Sequence, residues 1–193
     1  SYWDEYYGLN PNESANSIRL VPHQILQQVD SKLFLARQAK HYKLEGTLLP
    51  YSFETVVEAQ SYNAPAAALW FIKPIYSSGG RGIQCVANHQ LNTIKLPPHH
   101  LLQEQITDLE LIQDRKYTAR AYVFIFNKQL YCFDNGFVMI HGVPYDPTSM
   151  NHQVQVDHAD YHQAHGLVKM FTIADLPRYT TKMQRVYGAL QQL

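Results

Sequence analysis

Trp70-Phe71-Ile72-Lys73-Pro74-Ile75-Tyr76-Ser77-Ser78-Gly79-Gly80-Arg81-Gly82-Ile83 is the stretch on which the fold turns. Ala68 to Ile72 is a short apolar run stopped by Pro74, the pattern of a buried strand. Lys73 ends that strand, and an ammonium taken out of water needs a partner. A loop with two hydroxyls, three glycines and Arg81 follows at once. Glycines let backbone N–H groups approach an anion, and Lys and Arg neutralise it, so Ser78, Gly79, Gly80, Arg81 and Gly82 make a reasonable phosphate cradle. The loop is not a Walker A motif, because the chain has no G-x-x-x-x-G-K-[ST]. The plain structural alternative is a loose hairpin turn with Lys73 snorkelling to solvent. Either way, Ile83 to Val86 reads as the returning strand.

Working outward, Leu101 to Ile106 is another strand candidate, and Tyr117–Phe126 with Gln129–Phe133 reads as a hairpin turning at Asn127-Lys128, followed by Phe137 to Ile140. Asp30 or Ser31 can cap a helix near 31–42, a short helix is expected over 54–61, and a terminal helix over 175–193 interrupted near Pro177. Strands dominate the middle and helices the ends, which gives an α+β class. On the segment Asp114 to Tyr122, strand alternation places Lys116, Thr118, Arg120 and Tyr122 on one face. A solvated sheet face would explain this. Two cation-bearing segments on either side of Gln103-Glu104-Gln105-Ile106 point instead to a polyphosphate held between two lobes.

Composition narrows the class. The 193 residues carry 16 Lys+Arg against 16 Asp+Glu, and a neutral chain lacks the cationic stripe of a duplex-coating protein. The expected partners therefore exclude nucleic acid. Hydrophobic residues make up 46%, too many for a disordered chain. No run reaches the roughly 18 apolar residues of a membrane helix, so no membrane partner is expected. The first residues resemble no signal peptide, and Cys85 and Cys132 are too few for a disulfide framework, so a cytoplasmic protein is expected. Both cysteines read as core.

The ordered series W-F-I-K-P, S-S-G-G-R-G-I, L-L-Q-E-Q-I and D-R-K-Y-T-A-R-A-Y-V-F-I, continued by Leu130 to Val138, resembles the tubulin tyrosine ligase-like family of the ATP-grasp superfamily. The likeness runs from about Lys32 to Tyr145. It implies two small α+β lobes around a nucleotide cleft, with an N-terminal entry and helical segment over 1–64, a first lobe over 65–106 and a second, incomplete lobe over 107–193. The implied activity is ATP-dependent ligation of an amine, such as an amino acid, to a peptide, protein or small-molecule carboxylate through an acyl phosphate. Carried over by position, Lys73 would contact the phosphates, and Ser78 to Gly82 would close over them. Gln103, Glu104, Gln105 and Ile106 would form the hinge, with backbone groups of Glu104 and Ile106 on adenine. Lys116 and Arg120 would face the transferred phosphoryl group as the catalytic cations. Lys32 matches a family lysine at a helix start. Phosphoryl transfer chiefly needs positioned cations and excluded water, which agrees.

The departures are specific. Thr118 stands where the family usually has Asp, Met139 near its usual Arg, and Val156-Asp157-His158 in place of its Leu-Thr-Asn. These positions serve the acceptor and its amino-acid partner, so tubulin and tyrosine are not implied as substrates. The family's magnesium ligands, an Asp and a Glu-x-Asn, come after the segment where this sequence stops. No Glu follows Glu110, and the Mg²⁺ ligands are expected outside this chain. A shortened or split polypeptide, or an inactive relative that binds nucleotide or protein, are the open readings. A different class comes from His158, His162 and His165, which share a face if helical and would suit a transition metal. The spacing lacks H-E-x-x-H, and a solvated cluster explains it as well. Tyr2, Trp3, Tyr6 and Tyr7 are expected to pack on the lobe that follows, with an exposed recognition patch as the alternative.

Overall fold

The computed structural model describes residues 31–62, 64, 69–127, 129–156 and 169–190. The elements in chain order are α1 (Lys32–His41), β1 (Ser52–Phe53), α2 (Val56–Ser61), β2 (Leu69–Pro74), β3 (Gln84–Ala87), β4 (His100–Glu104), β5 (Tyr117–Phe126), β6 (Gln129–Ile140), α3 (His152–Gln155), β7 (Lys169–Thr172) and α4 (Tyr179–Leu190). Helices and antiparallel sheets mix, so the class is α+β as expected. The strands form a four-stranded sheet in the order β1-β4-β2-β3 and a three-stranded sheet in the order β5-β6-β7. Among the described residues, no helix is long and apolar enough to cross a membrane.

Local chemistry sets these boundaries. Ser31 caps α1, its Oγ accepting from the Phe34 N–H at 3.4 Å. The helix ends where Lys43 turns left-handed (φ 56°) and the Leu44 N–H closes on the Ala39 carbonyl at 2.8 Å. Thr55 caps α2 by accepting from the Glu58 N–H at 3.2 Å. Arg37 in the middle of α1 grips the carboxylate of Glu54, just before the α2 cap, through two bonds of 2.7 Å on the surface.

The main core lies on one face of the four-stranded sheet. Trp70, Ile72 and Leu102 point there and pack with Ala59 of α2 and Leu91, while the Trp70 indole N–H donates to Asn88 Oδ1 at 2.8 Å. A second cluster joins Val138 of β6 to Ile173, Leu176 and Met183. Tyr117 and Ala121 of β5 pack onto it, which bears out the alternation read from the sequence.

Two expected boundaries are corrected. Gln129 to Ile140 is one continuous strand rather than two pieces, because a register shift between Ala121 and Val123 absorbs the irregularity without breaking the pairing. Gly136 is required there, since a Cβ would come within 2.2 Å of the Arg120 carbonyl oxygen. The terminal helix starts only at Tyr179, after a 3₁₀ turn over Ile173–Asp175, because Pro177 and left-handed Arg178 (φ 57°) interrupt it. The aromatic entry around Tyr2, Trp3, Tyr6 and Tyr7 lies outside the described residues, as do His158, His162 and His165.

Candidate functional site

The site is built on the face of the four-stranded sheet opposite its core. Phe71 pairs with Cys85 on one side and Gln103 on the other, so the three form a row across β3, β2 and β4. Residues directly opposite in a sheet share a face, and Lys73 joins that face two positions on. Lys73 donates to Gln103 Oε1, and the Gln103 amide in turn donates to Ser52 Oγ at 3.0 Å, which fixes the orientation of the acceptor.

Lys116 reaches the same place from just before β5. Its Nζ lies 5.5 Å from the Phe71 ring centroid, as does the Nζ of Lys73. Lys116 also donates to the Gln155 carbonyl at 2.8 Å. Two like charges thus converge from two sheets onto one ring, with neutral oxygens as their hydrogen-bond acceptors. Burial first, then Lys116 and Lys32, push the Lys73 ammonium down to about 8. Burial also lowers Lys116. The acid that ends β4 gives no relief: Glu104 pairs with Trp70, so its side chain takes the core face and accepts from the Tyr62 hydroxyl at 3.2 Å. Burial raises the Glu104 carboxyl, and the Tyr62 hydroxyl partly offsets that.

The glycine-rich loop lies beside these cations. Gly79, Gly80 and Gly82 all have positive φ (64°, 75° and 74°), a geometry other residues rarely adopt. Two successive turns close it, from Arg81 N–H to the Ser78 carbonyl at 3.4 Å and from Ile83 N–H to the Gly80 carbonyl at 3.3 Å. The Arg81 side chain folds back onto the same Ser78 carbonyl at 3.3 Å and is exposed. Lys32, at the start of α1, donates to the Ser77 carbonyl and so ties the helix to the loop.

The remaining residues expected from the sequence are less tightly gathered. Glu104 N–H is taken by the Tyr51 carbonyl at 2.9 Å, and Gln105 N–H by the Leu69 carbonyl at 3.0 Å. Gln105 is buried, and its side-chain amide donates to Tyr145 Oη at 3.2 Å and the Pro147 carbonyl at 2.9 Å. Ile106 is half exposed at the mouth of this connection. Arg120 stands four residues along β5 from Lys116, about 13 Å by strand rise. Its guanidinium is exposed and lies 5.3 Å from the Phe137 ring centroid.

One reading of the sequence is corrected here. Cys85 belongs to the cation-bearing face rather than the core, because it pairs with Phe71 and not with Trp70 or Ile72. Burial pushes its thiol up, while Lys116 and Lys73 pull the other way. Three contributors escaped the sequence reading: Phe71, Ser52 and Gln155. Phe71 was accessible in principle, since the period of two that places Lys73 also places Phe71 beside it. Ser52 and Gln155 act through pairing and a backbone carbonyl, which leave no mark in composition.

The model of the tubulin-tyrosine ligase family matches residues 6–162, most of the chain and all of this face. The chain belongs to the tubulin-tyrosine ligase family. Among curated relatives, it is 33% identical over 92 residues to tubulin polyglutamylase TTLL5 of Mus musculus and 32% identical over 92 residues to the Homo sapiens protein of that name. Each match covers 46% of this chain and 7% of the relative, so the chain spans only a small part of the curated relatives it matches. Membership makes the chain kin to ligases, and the likeness in order of the four sequence motifs is explained by it. Among the described residues, no group of three or more His, Cys, Asp and Glu is placed to hold a metal ion.

Proposed function

We propose that this chain carries the phosphate-binding part of an ATP-dependent carboxylate–amine ligase, with ATP held between two small ATP-grasp lobes, 65–106 and 107–193, that follow an entry and helical segment over 1–64. The observation that carries the reading is the convergence of Lys73 and Lys116 on Phe71, each with a neutral acceptor. Two ammoniums whose proton affinity burial lowers, that of Lys73 further by Lys116 and Lys32, have unspent capacity for an anion, and a polyphosphate supplies several charges at once.

In this reading Lys73 and Lys116 hold the phosphate chain, and Ser78 to Gly82 offer backbone N–H groups over it. Arg81 exchanges the Ser78 carbonyl for a phosphate oxygen. Lys32 positions the loop through Ser77. The Glu104 N–H is already taken by Tyr51, so adenine recognition at Gln103 to Ile106 falls to the Glu104 carbonyl and the Ile106 N–H. Arg120, exposed about 13 Å along the strand, is placed for the transferred phosphoryl group and the acceptor rather than for the inner phosphates. The acceptor carboxylate takes the γ-phosphoryl, ADP departs, and the amine displaces phosphate from the acyl phosphate to form the amide. A magnesium ion would neutralise the phosphate charge when bound. The described residues offer no carboxylate cage for it, and no step here is assigned to it.

The relatives are named for adding glutamates to tubulin, which makes a protein carboxylate and an amino acid the substrate classes to try first. A reducing cytoplasm suits the two free thiols. Isothermal titration with Mg-ATP tests the reading: the wild-type chain binds, and Lys73→Ala binds at least about 100-fold more weakly, as expected for losing a buried charged contact. A folded wild-type chain that shows no ATP binding overturns it.

A further inference from the structure

We propose that Phe71 is a positioning residue, whose ring keeps the Lys73 and Lys116 side chains together as cations and aims both at one anionic ligand. Both Nζ atoms lie 5.5 Å from its centroid, within the range of attraction between an ammonium and the negative face of an aromatic ring. Phe71 is only 7% exposed, so this attraction is little screened by water. The charged and titratable groups facing the pair are Lys32 and Cys85; Gln103 and the Gln155 carbonyl complete the surroundings. Among the described residues, neither lysine has an ion pair with a carboxylate. The ring therefore stands where a counter-charge would be expected, and it does so without occupying the anion's place.

The main core lies on the other face of β2, around Trp70 and Ile72, so an aliphatic residue at 71 keeps the strand's pairing and loses buried volume on the cation face alone. What an aliphatic residue cannot supply is the quadrupole. The consequence is a cleft that is cationic before the ligand arrives, although burial and the charges of Lys116 and Lys32 push Lys73 down to about 8.

Incorporating mono-, tri- and pentafluorinated phenylalanine at position 71 of the full chain tests this, because fluorine drains the ring face with little change of volume. The proton affinities of Lys73 and Lys116 are read by NMR of labelled lysine side chains in nucleotide-free protein, with Lys73→Met and Lys116→Met assigning the signals. Both affinities should fall stepwise, by about three- to tenfold at five fluorines. ATP affinity, the arm that rests on the ligase reading, should fall by a similar factor at pH 8.5 and less than twofold at pH 6.5, where both lysines stay charged. Phe71→Leu should behave as the most fluorinated ring, and Phe71→Tyr as wild type. Lysine affinities that do not move across the series overturn the proposal, as does ATP binding that weakens equally at both pH values. If the lysine affinities shift but wild type binds no ATP, Phe71 keeps its role and the ligase reading is the one that fails.

Discussion

The two sheets handle burial in opposite ways. The four-stranded sheet is asymmetric across its thickness: Trp70, Ile72 and Leu102 are sealed on one face, while on the other Lys73, Cys85 and Gln103 form a charged, half-buried face around the buried ring of Phe71. The three-stranded sheet is asymmetric along its length. Near Tyr117 and Val138 it packs on Ile173, Leu176 and Met183, but beyond the register shift Phe124, Phe126, Tyr131 and Phe133 are all more than 40% exposed. Stability and ligand chemistry are thus separated by a face in one sheet and by distance along the strand in the other. Side chains on opposite faces of β2 should respond in opposite senses to substitution.

Trp70→Ala gives the largest expected effect. The ring is fully buried and its N–H is bonded to Asn88, so truncation leaves both a cavity and an unpaired acceptor. A loss of about 3–5 kcal/mol is expected in urea unfolding. A loss below about 1 kcal/mol would break the comparison, because the sealed face would then not be where the stability lies.

Lys73, three residues away on the other face, should do the reverse. Its folded-state proton affinity is depressed from 10.5 to about 8. Below pH 8 the folded chain must hold a proton that the unfolded chain holds more readily, so the charged lysine costs stability there. As pH rises through 8 the folded state sheds the proton first and the cost is relieved. From pH 7 to 9 the wild type should gain about 1 kcal/mol relative to Lys73→Met, which has no such proton. Cys85, raised by burial, works in the opposite direction at the alkaline end, and because Lys73 itself pulls that thiol down, both proteins are compared with Cys85→Ala in place. Urea midpoints at the two pH values measure this. A wild type and variant with parallel pH dependence would show Lys73 to be solvated, and the cation face would lose its meaning.

The same contrast explains what the sequence could and could not disclose. A short apolar run ended by Pro74 was enough to place β2, and the Ser31 cap was enough to start the first helix. Lys73, Lys116 and the glycines were legible as cations and a flexible loop because their chemistry is unusual in a strand context. Cys85 was misplaced because a cysteine in a strand looks the same on either face, and only its pairing with Phe71 rather than Trp70 decides between them. The continuity of β6 through Gly136 was hidden for a related reason: a register shift is a property of two strands at once, and glycine in one of them reads as a break. Arg120 carried the right charge, but its distance from Lys116 follows from strand rise and not from adjacency in the motif.

The smallest expected effect belongs to the far end of the β5–β6 hairpin. Phe124 is 53% exposed, and its ring contacts there are to Phe126 and Tyr131, themselves exposed. Aromatic neighbours on an open sheet face contribute some tenths of a kcal/mol, and threonine keeps the β preference of the strand. Phe124→Thr should therefore shift the urea midpoint by no more than about 0.5 kcal/mol in equivalent free energy. It should also leave the Lys73-dependent rise between pH 7 and 9 intact, because the register shift separates it from the packed end of the sheet. A loss of 2 kcal/mol or more would mean that the aromatic end is covered in solution, and the second sheet would then resemble the first, with a sealed face of its own.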